Sequence, residues 1–451
     1  MKIMKKRIAF ISEHASPLAT LGGVDSGGQN VYVAELPKQL VKLGYNVDVY
    51  TRKESYEINE VINWLPGIRV IHVKAGPEKV VPKEKLLYLM EEFANNMIAF
   101  IRREEVVYEL VHANFFMSAL VASKVKKVFH IPYVVTFHAL GLVRKIHQKE
   151  MDQFPPERVE IERRTFRNAD HIIAECPQDR EDMIRLYNAP PEKISIVPCG
   201  FSAKEFYPID KKRARRILQF NENDKIILQL GRMVPRKGVD NVIRAIGAMK
   251  NAKSPLRLVI VGGEHDKPDP GLSPELSRLQ KIAKEEGVHS SVVFTGRKQR
   301  DALKFYYAAA DIFITTPWYE PFGITPLESM ACGTPVIGSK VGGIKFTVEE
   351  GKTGLLVPPH NPSALAESIE SLITDEKLLA SMHHNAIKRV NKYFTWKSVA
   401  VSCHHLYESI ISAKHKQPTP SKLISIDSLA ANAGYLLDPF YLTHNVPAIN
   451  E

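Results

Sequence analysis

The sequence predicts an α/β protein of two doubly wound domains that face each other across a cleft. Three observations point there. Short runs, apolar on both faces and rich in β-branched residues, recur along the chain. Helical patterns of about 10 to 20 residues fill the gaps between them. One charged segment, 201–225, divides the series in two.

The predicted strands of the first series are 7–12, 46–51, 69–74, 109–113, 133–137, 171–174 and 194–197. Those of the second are 225–230, 256–261, 291–295, 311–315, 334–338 and 354–357. Runs apolar on both faces mark parallel strands buried under helices on each side. The dividing segment holds Tyr207-Pro208, the basic run 211–216 and Asn221-Glu-Asn-Asp224, so the boundary is placed in it. The expected units are 1–205 and 206–393, each Rossmann-like and long enough for its own core. A last helical pattern, within 394–413, follows the second unit. Residues 414–451 hold four prolines and an apolar patch at 435–442, and are expected to form an extended, docked tail. Pro37 lies inside the helix that follows Gly28 and lacks the N–H of one helical hydrogen bond, so a bend is expected there, costing about 3 kcal/mol if unrelieved.

Composition narrows the function classes. The 451 residues are 44% hydrophobic and 25% charged, which argues against a disordered, collagen-like or disulfide-scaffold chain. No apolar stretch approaches the roughly 20 residues of a membrane span. The apolar run 8–11 behind the basic start is too short for a signal-peptide core and reads as a buried strand. Cys176, Cys199, Cys332 and Cys403 lie far apart with no CxxC spacing, which suggests a reducing compartment, a cytoplasmic location and no metal framework. The net charge of +11 fits three partners: nucleic acid, an anionic membrane surface or a phosphorylated substrate. No nucleic-acid-binding motif is present and the basic residues are mostly scattered, so no nucleic-acid partner is expected. Peripheral contact with an anionic inner membrane face and self-association both remain compatible with the sequence.

Candidate chemistry gathers where predicted strands end. The turn Gly22-Gly-Val-Asp-Ser-Gly-Gly28-Gln-Asn30 leads from the first strand into a helix, where free amides and a close backbone approach suit a phosphate or sugar; a plain flexible connection is the competing reading. Gly231-Arg232-Met-Val-Pro-Arg236-Lys237-Gly238 follows the first strand of the second series, and its cations could neutralise a diphosphate or form a solvated basic loop. Glu320-Pro-Phe322-Gly323-Ile324-Thr325-Pro-Leu-Glu328 places one carboxylate in a loop and one about a turn into a helix. Those carboxylates could hold sugar or ribose hydroxyls, and the amides of 323–325 a phosphate; acidic residues also simply favour helix starts. His138 ends another strand. Gly262-Gly263 and Gly296-Arg297 end two more, so the glycines share one rim.

Taken in order, the segments GG…DSGGQNVYV, VHANFFMSALVA, TFHALG, VPCGF, GRMVPRKG, VGG, FTGR and EPFGITPLESMACGTPVIGS…GG…GLLVPP resemble a family 4 retaining glycosyltransferase of the GT-B fold, over residues 7–413. The opening segment is most similar to the branch that holds inositol-phosphate N-acetylglucosaminyltransferases, sucrose-phosphate synthases and mannosylfructose-phosphate synthases. The resemblance implies that Arg232 and Lys237 hold the donor diphosphate, that Glu320 and His138 contact the donor hexose, and that Glu328 binds the nucleotide ribose. It also implies that Gly28, Gly263 and the amides from Phe322 through Gly323 and Ile324 to Thr325 line the diphosphate and sugar, that Arg297 meets the base and that Asn30 meets the acceptor. The first unit would then be the acceptor side and the second the nucleotide-sugar side, with the last helix crossing back to the first. The co-substrate would be a nucleotide sugar, UDP-linked in the first instance and GDP-mannose in the second, with no other cofactor and no metal. Acceptor phosphate in that branch is held from four places. The basic ones match Lys83 and Arg158, while the two hydroxyl-bearing ones fall on Phe115 and Ala139, which makes inositol phosphate a poor fit and leaves another anionic acceptor open. Surface charge is the bland alternative for Lys83 and Arg158. A non-catalytic sugar-nucleotide- or glycan-binding protein on the same fold is the main alternative to an enzyme.

Overall fold

The computed structural model describes residues 5–19, 27–249 and 256–415. Residues 20–26 of the glycine-rich turn, and the expected tail from 416 onward, lie outside the described residues.

Two sheets form the frame. The first is built from β1 (Arg7–Ile11), β2 (Asn46–Arg52), β3 (Val61–Leu65), β4 (Ile68–Val73), β5 (Leu110–Asn114), β6 (Tyr133–Thr136), β7 (His171–Ala174) and β8 (Ile194–Ile196). Its order is β3-β4-β2-β1-β5-β6-β7-β8. The second is built from β9 (Lys225–Leu230), β10 (Leu256–Val261), β11 (Val292–Phe294), β12 (Ile312–Thr315), β13 (Val336–Ser339) and β14 (Gly354–Val357), in the order β11-β10-β9-β12-β13-β14. Every pairing is parallel except β3 with β4.

The predicted two-sided burial is present. On β1, Ile8 and Phe10 enter one core while Ala9 and Ile11 enter another on the opposite face. On β9, Ile226, Leu228 and Leu230 join the first of these cores and Ile227 joins a third. Strand order reverses at β1, which lies between β2 and β5, and again at β9, which lies between β10 and β12. Such switch points open a crevice at the carboxyl ends of the strands, where ligands of open α/β sheets bind.

One strand escapes the sequence pattern. β3 is a half-exposed antiparallel edge that returns into β4 through Pro66-Gly67, with Gly67 at φ +82°. An edge strand open to water on one side has no two-sided apolar run to betray it. The helix Gly28–Lys42 runs through Pro37.

The chain crosses between the sheets twice, and the crossings pair with each other. Phe201 N–H donates to Phe394 O (2.9 Å) and Trp396 N–H to Phe201 O (3.3 Å). The last helix, Trp396–His415, then packs on the helix Gly28–Lys42 of the first sheet's layer. Tyr407 OH lies 2.6 Å from His112 Nδ1, Tyr45 OH donates to Glu408 Oε1 (2.7 Å), and the Trp396 and Tyr32 rings meet edge to face at 5.6 Å.

Candidate active site

The carboxyl ends of the two sheets enclose a cleft of about 320 Å³. Its wall contains His138, Gly28, Asn30, Lys83 and Phe115 from the first layer. From the second come Arg232, Lys237, Gly263, Arg297, Glu320, Phe322, Gly323, Ile324, Thr325 and Glu328. One residue singled out from the sequence, Arg158, is not in the wall.

On the second side, β9 ends at Leu230 and a short turn, Pro235–Lys237, precedes the helix Val239–Ala248. Gly238 closes that turn at φ +67°, where a Cβ would sit 2.0 Å from Thr316 O. This close approach aims Lys237 across to the loop after β12. Its ammonium ion-pairs with Glu320 Oε2, and Arg236 Nη1 lies 3.8 Å from the same oxygen. Burial pushes the Lys237 ammonium down to about 8, with Arg236 and Arg232 adding repulsion and Glu320 opposing. Burial acts upward on the Glu320 carboxyl, yet Lys237, Arg236 and Arg232 together hold it below the usual carboxylate range. Three cations therefore converge on one carboxylate.

Glu320 reaches that place because its loop is backed by glycine. Gly343 N–H donates to Glu320 O (3.2 Å), and the preceding Gly342 passes so close that a Cβ there would meet the same oxygen at 1.8 Å. Gly323, at φ +90°, then starts the helix Ile324–Ala331, whose first amides open toward the cleft. Glu328, a turn further in, is buried; Arg300 Nη1 lies 2.9 Å from its Oε1, and Tyr307 OH donates to its Oε2 (3.1 Å). Burial raises the Glu328 carboxyl, opposed by Arg300 and Tyr307. Arg297 Nε is 3.1 Å from Asp266 Oδ1 on the same rim.

On the first side, His138 sits beyond β6 with φ +57°, a left-handed backbone that turns its ring into the cleft. Two partners fix the ring: Nδ1–H donates to Glu175 Oε1 (2.9 Å), and Nε2 lies 3.1 Å from Asn114 Oδ1. Asn114 Nδ2 donates to Ile11 O and His112 O, which locks the amide in turn. Asn30 is buried and spans the start of its helix, accepting from Gly27 N–H (2.9 Å) and donating to Ser16 O (3.1 Å). Lys83 starts a short turn, with its ammonium 3.8 Å from Glu84.

Arg158 is neither surface charge nor part of the cleft wall. Its residue is 1% exposed. The guanidinium lies 4.8 Å from the rings of Phe115 and Phe116 and 4.6 Å from that of Phe154. Nε donates to Glu162 (2.8 Å) and Nη2 to Ala139 O (2.5 Å), while Nη1 has no partner among the described residues. It packs against Phe115, which lines the wall and has a φ of +88°. An arginine goes this deep because three aromatic faces and a carboxylate replace its water.

The two sides approach closely. A Cβ on Gly27 would lie 4.0 Å from Arg232 Nε, and one on Gly28 would lie 3.6 Å from Ile324 Cδ1. The glycine backbone of one layer thus faces the cations and helix start of the other. Tyr319 carries further contacts across: His147 stacks on it at 4.9 Å, and Gln148 Nε2 donates to its hydroxyl. Tyr319, Glu175, Asn114 and Arg300 belong to the site and were not singled out from the sequence. Among the described residues, no group of three or more His, Cys, Asp or Glu side chains could hold a metal ion, and no helix is long and apolar enough to cross a membrane.

Comparison with known proteins places this arrangement. Residues 26–205 match the profile of Glycosyltransferase Family 4, and residues 210–389 that of Glycosyl transferases group 1. A D-inositol 3-phosphate glycosyltransferase of Corynebacterium jeikeium is 35% identical over 416 residues, 91% of this chain and 98% of the relative. Among solved structures, a sucrose-phosphate synthase from Thermosynechococcus elongatus is 33% identical with a TM-score of 0.83, covering 91% of this chain and 100% of that one. HepE of Anabaena, solved in complex with UDP, shares the fold at a TM-score of 0.70 and 19% identity, over 89% of this chain and 100% of that one. The chain therefore belongs to the family 4 glycosyltransferases, as an enzyme of the transferase class with the GT-B fold.

Proposed function

We propose that the protein moves a hexose or N-acetylhexosamine, with retention, from a nucleoside diphosphate sugar to a hydroxyl of a small phosphorylated sugar or polyol. UDP-sugars are the first donor class and GDP-mannose the second. Residues 1–205 form the acceptor side and 206–393 the donor side, and 394–413 tie the second back to the first. The observation that carries this reading is the convergence of Arg232, Arg236 and Lys237 at one strand edge, facing the Gly27-Gly28 backbone across the cleft.

Breaking the anomeric bond moves negative charge onto the departing diphosphate. Fixed cations stabilise that charge most in the transition state, which lowers the barrier. Lys237 and Arg232 take this role, and the amides of Ile324 and Thr325 add donors. Glu320, held by Lys237, accepts from a hexose hydroxyl. His138, held by Glu175 and Asn114, meets the hexose from the acceptor side. Attack comes from the face the diphosphate leaves, and a phosphate oxygen of the donor receives the acceptor's proton. No carboxylate nucleophile takes part. The contacts of Tyr319 with His147 and Gln148 help exclude water from the cleft when it is filled.

At the acceptor end, Lys83 lines the cleft, which supports an anionic acceptor, while Arg158 is buried behind Phe115 and paired with Glu162. Phe115 and Ala139 bring no hydroxyl to a phosphate, which argues against inositol phosphate itself, although curated relatives carry that name. The test is a donor-by-acceptor panel read by nucleotide release and mass spectrometry, with sugar phosphates and polyol phosphates among the acceptors. A glycosylated phosphate ester is the expected product. Absence of nucleotide binding and of release across all donors would sink the reading.

The depressed Lys237 ammonium predicts a pH profile. The free enzyme needs the charged form to receive a diphosphate, so kcat/KM for the donor should fall as pH rises through about 8. A bound diphosphate adds a second negative partner beside Glu320 and raises that group, so the alkaline limb of kcat should lie at higher pH. Coincident limbs for the two parameters would remove Lys237 from the diphosphate.

A further inference from the structure

Arg300 stands at the start of the helix Arg300–Ala309 and lines the cleft. Its Nη1 lies 2.9 Å from Glu328 Oε1 and its Nε donates to Glu205 Oε2 (2.7 Å). The guanidinium lies 4.8 Å from the Phe206 ring, while Nη2 is buried without a partner among the described residues. Tyr307 follows two turns later on the same helix face and takes the other Glu328 oxygen. Each carboxylate oxygen has two acceptor sites, so Glu328 keeps one on each for a ligand. A buried guanidinium N–H with no acceptor is costly. A hydroxyl entering beside Glu328 would supply that acceptor while donating to the carboxylate.

We propose that Arg300 is a positioning residue of the donor site, which orients the Glu328 carboxylate for the ribose hydroxyls of the nucleotide and turns its own Nη2 to the same hydroxyls. This rests on Glu328 binding ribose. The charged and titratable groups that face Glu328 are Arg300 and Tyr307 from one helix, Glu205 from the segment between the sheets, and Cys332 at the end of its own helix. Among these, Arg300 is the cation that offsets the burial of the carboxylate.

The experiment is calorimetric titration of the full chain with UDP and GDP, and with the 2′,3′-dideoxy form of each. Wild type should prefer the intact ribose. Arg300→Gln should weaken binding of the intact nucleotide by ~10–100-fold and leave the dideoxy form within about twofold of wild type, and Arg300→Lys should recover part of the loss. Relative to wild type, Arg300→Gln should also lose affinity as pH is lowered, because the buried carboxylate takes up a proton more readily without its guanidinium. An Arg300→Gln protein that keeps the full wild-type preference for ribose overturns the proposal. So does one that loses both forms equally, the mark of a purely structural residue. A wild type that binds neither nucleotide, or does not distinguish intact from dideoxy, locates the failure earlier, in Glu328 as the ribose ligand, and the proposal falls with it.

Discussion

Lys237→Ala should lower kcat/KM by ~10²–10³-fold, the loss expected when a preorganised donor to a developing oxyanion is removed. The drop should appear in kcat more than in the donor KM, because the leaving diphosphate gains its charge on the way to the transition state. Arg232→Ala should act in the same direction. The two losses should not add, since both cations serve one charge. Folding should survive. Lys237 is paired with Glu320, and removing it would strand a buried carboxylate, except that Arg236 remains 3.8 Å from the same oxygen and Arg232 acts on it too. Steady-state transfer, nucleotide binding and thermal melting of each variant separate these effects. Turnover at the wild-type rate in either variant would refute the assigned role.

Much of this architecture is visible in the chain. Thirteen of the strands announce themselves because a parallel strand covered on both faces is mostly apolar, as Ile8-Ala-Phe-Ile11 is. β3 stays hidden because only one of its faces is covered. The donor rim is legible for a related reason. Gly262 follows β10 directly, Gly238 and Gly323 each open a helix, and all three adopt positive φ, so glycines recur in the connections that line this rim. The supporting residues leave no such mark. His138 depends on Asn114, which ends β5, and on Glu175, which follows β7, and they meet it only because β5, β6 and β7 lie side by side. Arg158 looks like surface charge until Phe115, Phe116 and Phe154 close around it. Arg300 and Tyr319 form partnerships across 95 and 171 residues, beyond any local pattern.

Gly342→Ala should be strongly damaging, although Gly342 need not touch a substrate. Its φ is +43°, and an added Cβ would sit 1.8 Å from the carbonyl oxygen of Glu320. A clash with backbone cannot be relieved by a rotamer change, so one strand of the loop must move. Gly343 holds the same loop from behind, donating to Glu320 O and passing where a Cβ would meet Phe322 O at 2.3 Å. The shift therefore falls on 320–322 and carries with it both the Glu320 carboxylate and the entry to the helix amides. A displacement of about 1 Å in positioning groups costs ~10²-fold in rate. Stability should fall by about 2–4 kcal/mol, the range for strain at a special backbone position combined with overpacking. Gly351→Ala supplies the comparison: its φ is +71°, but no atom lies within 4 Å of the added Cβ. That variant should lose only the backbone term, about 1–2 kcal/mol, and keep full activity. The excess loss in Gly342→Ala, read by denaturant melting beside kcat/KM, isolates the clash from the backbone cost. If the two variants melt alike and Gly342→Ala transfers sugar at the wild-type rate, the Glu320 loop is soft, and its fit against the glycine pair does not set the geometry of the donor site.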